Sequence, residues 1–285
     1  MRNQARWLAL LVAALVLVQG CVAASVVSVG AIAAKGVTKA AEASRPINDS
    51  EEYYVGRAVA ARILGKYPLY QNPKLTAYVN EVGETVARKS SRPRTFRGYR
   101  FAVLDTPEIN AFACPGGLIF ITRGLVQTCA TEDQLAAVLA HEVGHVANKD
   151  GVNSISQARW SQVLTAMGTE AVKQYAGVGG SLVALFEGSI DDVFKTIVVN
   201  GYSRTAEEAA DKAAVATLGR AGYDPRALPQ VLDKMMAKEK GTSGGIFKTH
   251  PPTSERLAKL KVEAAEAPPS QDEAGRTRRF KAMTS

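Results

Sequence analysis

His141-Glu142-Val143-Gly144-His145 is the segment of this chain with the clearest chemical potential. On a helix, positions i and i+4 stand one above the other on the same face. That spacing lets two imidazoles converge on one Zn²⁺ at about 2.0–2.1 Å each. Glu142 lies beside them, placed to act on a water held by the metal rather than to ligate. Zinc lowers the pKa of such a water to about 7, and a carboxylate in reach takes its proton. The chain contains only three histidines, so an accidental HExxH is rare.

A catalytic zinc usually takes three protein ligands and keeps one position open. The one histidine left is His250, in a loop before two prolines. The acidic candidates lie in Ser203-Arg-Thr-Ala-Glu-Glu-Ala-Ala-Asp211. Glu207 and Asp211 are again i and i+4, on one face among alanines that allow close approach to the histidine helix. Glu207 could reach the metal while Asp211 accepts the Nδ1–H of a ligating histidine, fixing its tautomer. Spacing alone leaves Glu207 and Glu208 both open as the ligand.

Elements must hold these residues in place. Thr131-Glu-Asp-Gln134 is a capping box ahead of an apolar run, and the helix it opens carries Leu135, Val138, Leu139, Val143 and Val146. Gly144 costs that helix roughly 0.5–1 kcal/mol relative to Ala, which makes sense if another element passes close to this turn. A second helix runs from about Ser203 to Leu218, stops near Gly222, and is followed by a start at Asp224-Pro225. Helical spacing also begins at Glu51, breaks at Asn72-Pro73, and resumes through Leu75, Val79, Val82 and Val86. Tyr99 to Leu104 and Leu118 to Thr122 read as strands. Residues 151–200 look helical but loosened by Gly177, Gly179, Gly180 and Gly188, with 174–190 a candidate lid. Strands and helices are segregated, which predicts an α+β fold with a helical majority.

Composition narrows the class. Hydrophobic residues make up 46% of the 285, which excludes wholesale disorder, and three cysteines exclude a disulfide scaffold. Cys114 and Cys129 are free to pair in an oxidising compartment, and the sequence does not say whether they do. Arg2, Arg6 and the apolar run Leu8–Val18 read as an export signal over residues 1–20. Val18-Gln19-Gly20-Cys21 resembles a bacterial lipobox, with Cys21 acylated and anchoring the chain to a membrane. The competing reading is one uncleaved membrane helix over Leu8–Ala34. Residues 21–50 then form a flexible spacer, 51–262 the main domain, and 263–285 a polar tail expected to be disordered. The formal charge is +8, or +6 (33 minus 27) without the signal, and diffuse, so no nucleic-acid partner is expected. Arg276, Arg278, Arg279 and Lys281 cluster in the tail and read as solvated.

Four motifs in order carry a resemblance. They are Asn110-Ala-Phe-Ala-Cys-Pro-Gly-Gly117, His141-Glu-Val-Gly-His145, Tyr202-Ser-Arg-Thr-Ala-Glu-Glu-Ala-Ala-Asp211 and Thr249-His-Pro-Pro-Thr-Ser-Glu-Arg256. Over residues 51–262 the chain resembles the zinc peptidase family that includes the type I CAAX prenyl protease, HtpX and Oma-like proteases, and periplasmic lipoprotein relatives such as BepA and LoiP. The resemblance implies a gluzincin-like endopeptidase domain with one Zn²⁺ per chain. It maps Glu207 as the third ligand and Asp211 as the acid behind a ligating histidine. Ala209 departs from the family, which often has Glu there, without touching either matched residue. The resemblance further implies a small sheet whose edge strand, the one after Pro115-Gly116-Gly117, lines the active-site cleft, with Asn110, Gly116 and Gly117 contacting substrate backbone. His250 would either stabilise the oxyanion or occupy the open metal position as a latch. Expected substrates are unfolded or misassembled envelope proteins. Val22 after Cys21, by analogy with lipoprotein sorting, favours the periplasmic face of the outer membrane. The alternative is a mostly latent, chaperone-like or assembly-partner lipoprotein that keeps the zinc site.

Overall fold

The structure is a computed structural model. It describes residues 46–155, 179–238, 246–250, 254–267, 270 and 272–284. The signal, Cys21 and most of the spacer expected from the sequence lie outside these residues, as does the first part of the 174–190 segment. The chain divides into two compact units, residues 1–46 with 156–188 and residues 47–155 with 189–285. The second unit carries the site. No helix among the described residues is long and apolar enough to cross a membrane.

In chain order the elements are α1 (Asp49–Lys66), α2 (Pro73–Ala87), β1 (Arg100–Leu104), β2 (Ala111–Cys114), β3 (Leu118–Thr122), α3 (Arg123–Val126), α4 (Glu132–Ala147), α5 (Asp150–Asn153), α6 (Gly179–Lys195), α7 (Arg204–Ala221), α8 (Ala227–Lys238), α9 (Ile246–Thr249), α10 (Ser254–Ala265) and α11 (Glu273–Thr284). A π-turn, Thr196–Asn200, follows α6. The fold is α+β and mostly helical, as the segregated pattern predicts.

Side-chain caps set the helix starts. Asn48 closes a capping box with Glu51, so α1 begins two residues before Glu51. α1 already ends at Lys66, and Asn72-Pro73 starts the next helix: Asn72 accepts the Leu75 N–H and Pro73 opens α2, where its missing donor costs nothing. Thr131 caps α4 through the Gln134 N–H, and the Gln134 side chain reaches back to the N–H of Ala130. Ser203 caps α7, and Gly222 ends it with φ +80°.

The three strands form one sheet in the order β1-β3-β2. β1 runs parallel to β3, with Arg100 opposite Leu118 and Leu104 opposite Thr122. β2 runs antiparallel to β3, with Ala111 opposite Ile121 and Cys114 opposite Leu118. The strand after Pro115-Gly116-Gly117 is therefore the centre of the sheet and not its edge. Leu118–Thr122 is apolar and nearly fully buried, which suits a strand paired on both sides. The edge strand packed against α4 is β2, which the alternation pattern did not reveal because all four of its residues are buried.

Every residue of α4 from Glu132 to Val146 is buried. A helix buried all round must be covered on every side, and α2, α7, α8, α11 and β2 do this. The approach of α7 is the closest. A β-carbon on Gly144 would stand 3.0 Å from the carbonyl oxygen of Ala210, so the glycine and the alanines of α7 let the two backbones meet.

The C-terminal segment is not a disordered tail. Glu273–Thr284 forms α11, whose Phe280 is buried beside Tyr78. Arg276 pairs with Asp133, and Arg279 with Glu132, both buried carboxylates at the start of α4. Composition misled here because one aromatic and two arginines, matched to two buried acids, supply what a long apolar face usually supplies.

Candidate metal centre

α4 presents His141 and His145 one turn apart, with their Nε2 atoms 3.1 Å from each other. α7 brings Glu207 to meet them. Its carboxylate oxygens lie 3.4 Å from His145 Nε2 and 3.5 Å from His141 Nε2. His250, just past α9, puts its Nδ1 3.3 Å from His141 Nε2 and 2.8 Å from Glu207 Oε1. All four side chains are buried, and one donor atom from each falls within 4.8 Å of all the others. Four donors at about 2.0–2.1 Å around a tetrahedral ion stand about 3.4 Å apart, so the spacing suits a metal.

Both histidines of α4 are braced from behind. His141 Nδ1 lies 3.0 Å from Asp211 Oδ1, the arrangement expected from the i, i+4 pairing of Glu207 and Asp211. His145 Nδ1 lies 2.8 Å from Asp150 Oδ2. A proton on each Nδ1 leaves each Nε2 lone pair facing the cluster. Tyr202 adds a ring stacked on His145, with centroids 4.2 Å apart.

Asp150 and Arg256 are partners that sequence reasoning passed over. Asp150 reaches His145 because Lys149 takes a left-handed φ of 60°, turning the chain back at the end of α4. Lys149 in turn pairs with Asp49. Arg256 on α10 is buried, binds both oxygens of Asp211, and lies 2.6 Å from Glu207 Oε2. It stood within a quoted motif, but nothing in its spacing marked it as an ion-pair hub.

The charges favour a cation. Glu142, Glu207, Asp211 and Asp150 surround the histidines, and Arg256 is the guanidinium among them. Burial pulls the His141 imidazole down, but the Asp211 and Glu207 carboxylates outweigh it and hold it up at about 10. His145 is raised in the same way, by Asp150 and Glu207 against burial. Burial pushes Glu207 up, yet His250, His141 and His145 hold it well below the usual carboxylate range. Asp211 is lowered against burial by Arg256 and His141. A divalent cation satisfies the same field with the imidazoles neutral.

Glu142 is fully buried, and neither carboxylate oxygen has a hydrogen-bond partner among the described residues. One oxygen stands 3.7 Å from His250 Nε2. A buried acid without hydrogen bonds is costly, and this one stands beside the donor cluster.

The residues expected to touch substrate have other partners too. Asn110 Oδ1 accepts the N–H of Ala111 and the hydroxyl of Thr249, so it ties β2 to the segment bearing His250. That segment is held again by Tyr202, whose N–H donates to the Thr249 carbonyl, and by Ile246, whose N–H donates to Ile109. Gly116, at φ +75°, gives its N–H to buried Glu52 and lies against the backbone of Tyr53. Gly117 is buried beside it. Cys114 and Cys129 are free, buried thiols.

A buried His/Glu donor set built on two tightly packed helices, with Glu142 beside it, is an arrangement that could hold a metal ion. Residues 73–264 match the model of Peptidase family M48, and the chain belongs to that family of metal-dependent peptidases. It is 27% identical over 232 residues to the beta-barrel assembly-enhancing protease of Escherichia coli (strain K12), covering 80% of this chain and 46% of that protein. It is 26% identical over 189 residues to the metalloprotease LoiP of the same organism, covering 66% and 68%. To the mitochondrial metalloendopeptidase OMA1 of Arabidopsis thaliana it is 28% identical over 166 residues, covering 57% and 30%. The chain thus spans about half the length of the beta-barrel assembly-enhancing proteases it matches.

Proposed function

We propose that this chain is a zinc-dependent endopeptidase of the gluzincin type, acting on unfolded or misassembled proteins of the bacterial cell envelope. The observation that carries the reading is the unpartnered carboxylate of Glu142 beside the buried donors of His141, His145 and Glu207. One Zn²⁺ on those three residues would polarise the scissile carbonyl and acidify water. Glu142 takes the proton from the attacking water and passes it to the leaving nitrogen. Asp211 and Asp150 keep His141 and His145 in the tautomer that ligates, and Arg256 holds Asp211 and Glu207 in line.

The polypeptide lane in this reading runs along β2. The Thr122 N–H donates to the Asn110 carbonyl. Hydrogen-bonded pairs alternate along an antiparallel ladder, so Phe112 and Cys114 also bond to β3. The main-chain groups of Ala113 then turn the other way, to the edge nearest α4, where an extended chain can add. Such an edge reads backbone more than side chain, which suits unfolded substrates.

His250 acts as a latch. Its Nδ1 sits among the donor atoms, where it fills the position a catalytic metal keeps open. The same feature favours a second reading, a mostly latent chaperone-like or assembly-partner protein that retains the metal. The lipobox-like Cys21 anchors the chain to the periplasmic face of the outer membrane; the similarity to a protein named for beta-barrel assembly supports an envelope setting.

The test is hydrolysis of reduced, unfolded protein by the zinc-loaded full chain. Turnover should vanish with chelator and in Glu142→Gln, and rise in His250→Ala. Turnover that survives both chelation and Glu142→Gln would sink the mechanism. Capture of unfolded chains by Glu142→Gln, with no turnover in wild type or His250→Ala, would select the latent reading.

A further inference from the structure

The start of α1 and the loop between α2 and β1 form a surface that the metal centre does not use. From Arg88 to Arg100 the sequence places Arg88, Lys89, Arg92, Arg94, Arg97 and Arg100 with no acid among them. Part of this charge is neutralised within the fold. Arg88 and Arg100 reach Glu84, and Arg92 binds Glu52 and Asp49. Asp49, one turn before Tyr53 on α1, is engaged a second time by Lys149. Arg94 and Arg97 are exposed, as is Arg57 on α1, and among the described residues none of these three has an ion pair.

Aromatic rings lie between these arginines. The Tyr53 ring centroid stands 5.5 Å from that of Tyr54 and 5.7 Å from that of Phe96. Arg57 lies over Tyr53 at 6.0 Å and Arg97 over Phe96 at 5.3 Å from the ring centroids. Tyr54 is 53% exposed and Phe96 46%. A single exposed ring needs no explanation, but adjoining rings rimmed by charge mark a surface that meets a partner. The loop holds Phe96 at the tip of a closed turn. The Tyr99 hydroxyl donates to the Arg92 carbonyl, and the Gly98 N–H, at φ +75°, donates to the Thr95 carbonyl.

Unpaired arginines attract phosphate, and aromatic rings beside them suit the boundary between lipid headgroups and acyl chains. Tyr53 and Tyr54 lie in the first two turns of α1, fewer than about 35 residues after the anchor proposed at Cys21, so a tether of at most about 120 Å holds them to the bilayer. A protein or nucleic-acid partner would have to find the same patch from solution. We propose that this patch rests on the anionic phospholipid headgroups of the membrane that carries the chain, with Tyr54 and Phe96 at the acyl boundary and Arg57, Arg94 and Arg97 on phosphates. The inference goes beyond the peptidase reading and takes from it only the attachment to a membrane. Contact on this face brings the turn that ends β2 close to the headgroups, because Gly116 packs on the backbone of Tyr53 and Gly117 beside Thr95 and Gly98.

Each arginine close to an anionic surface favours binding about fivefold, so three together favour contact on the order of 100-fold. The experiment reconstitutes the full chain, carrying Phe96→Cys with a nitroxide in place of the ring, on vesicles of phosphatidylcholine alone or mixed with phosphatidylglycerol. Cys114 and Cys129 are buried, and the unsubstituted chain gives the labelling background. Flotation reads attachment, and accessibility of the label to a water-soluble nickel chelate and to oxygen reads contact. The label should enter lipid on the anionic vesicles and return to water on neutral ones, in high salt, and in the Arg57→Gln/Arg94→Gln/Arg97→Gln variant. A label that stays in water while the chain floats overturns the patch and keeps the anchor. Shielding that is equal on both vesicles, or unmoved in the triple variant, also overturns it. Flotation with neither vesicle removes patch and anchor together. Flotation with anionic vesicles alone, lost in the triple variant, keeps the patch and removes the anchor. Immobilisation of the label by an acidic polypeptide or an oligonucleotide, and not by vesicles, gives the surface to that partner and overturns the proposal.

Discussion

Arg256 donates to both carboxylate oxygens of Asp211, behind the imidazole of His141. The same guanidinium lies 2.6 Å from Glu207. One side chain on α10 therefore holds Glu207, the proposed third ligand, and Asp211 behind His141. Arg256→Gln should weaken zinc binding by about 10–100-fold, the usual loss when a supporting contact behind a ligand is removed. Competition against a chromophoric chelator measures it. Unchanged affinity would show that Glu207 and Asp211 hold their places without help.

The contact between Gly144 and Ala210 makes a second prediction. A β-carbon at 144 meets the main chain of α7, which can yield only if the helices part. Gly144→Val should lower stability by about 1–3 kcal/mol, the range for overpacked cores, and Gly144→Ala by less. Because the clash is with the backbone, Ala210→Gly should not rescue it. Rescue in a denaturant titration of the double variant would place the clash elsewhere.

The two arginines of α11 should differ in weight. The Arg276 side chain is 11% exposed and its partner Asp133 2%, while Arg279 is 48% exposed against Glu132 at 1%. Glu132 also keeps the hydroxyls of Tyr78 and Tyr223. Solvent screens Arg279, so Arg276→Gln should lower the urea midpoint more than Arg279→Gln. The reverse order would mean that α11 is held by its exposed face.

Removing the metal should reshape the pH dependence of stability. In the stripped protein, His141 is held up at about 10 and His145 is raised, so their contribution is complete below 6.5 and is lost as pH rises toward the folded value. Glu207 and Asp211 are lowered, so theirs is complete above 4.5 and 3.8 and is lost as pH falls. The stripped chain should be most stable between 4.5 and 6.5 and weaken above that range. Zinc requires neutral imidazoles and should move the optimum upward. Tm against pH, with and without chelator, reads both. A flat alkaline limb in the stripped protein would contradict the sign.

Much of this centre was legible in the sequence, and the reasons are local. His141, His145, Glu207 and Asp211 lie at helical spacing on capped helices, so their faces follow from 3.6 residues per turn. Gly144 announced the close pass of a second helix, which proved to be α7. Glu207 could be separated from Glu208 only by resemblance, because a difference of one residue is a rotation of about 100° on an element whose own orientation was unknown. Asp150 depends on a left-handed backbone at Lys149, a residue type that does not advertise it. Arg256 depends on how α10 docks. β2 was hidden because uniform burial erases alternation, and with it went the true edge of the sheet. The ordered C-terminus was missed for a similar reason, since its docking is written in α4, at Glu132 and Asp133.

Thr249 joins three parts of the centre. Its hydroxyl holds Asn110 at the head of β2, its carbonyl holds Tyr202 against the His145 ring, and its neighbour is His250. Asn110, Tyr202 and His250 therefore share a single rivet. If His250 is the latch and β2 the docking strand, as proposed, a polypeptide pulling on β2 would load that rivet directly, and a folded protein with no strand to offer would leave it shut.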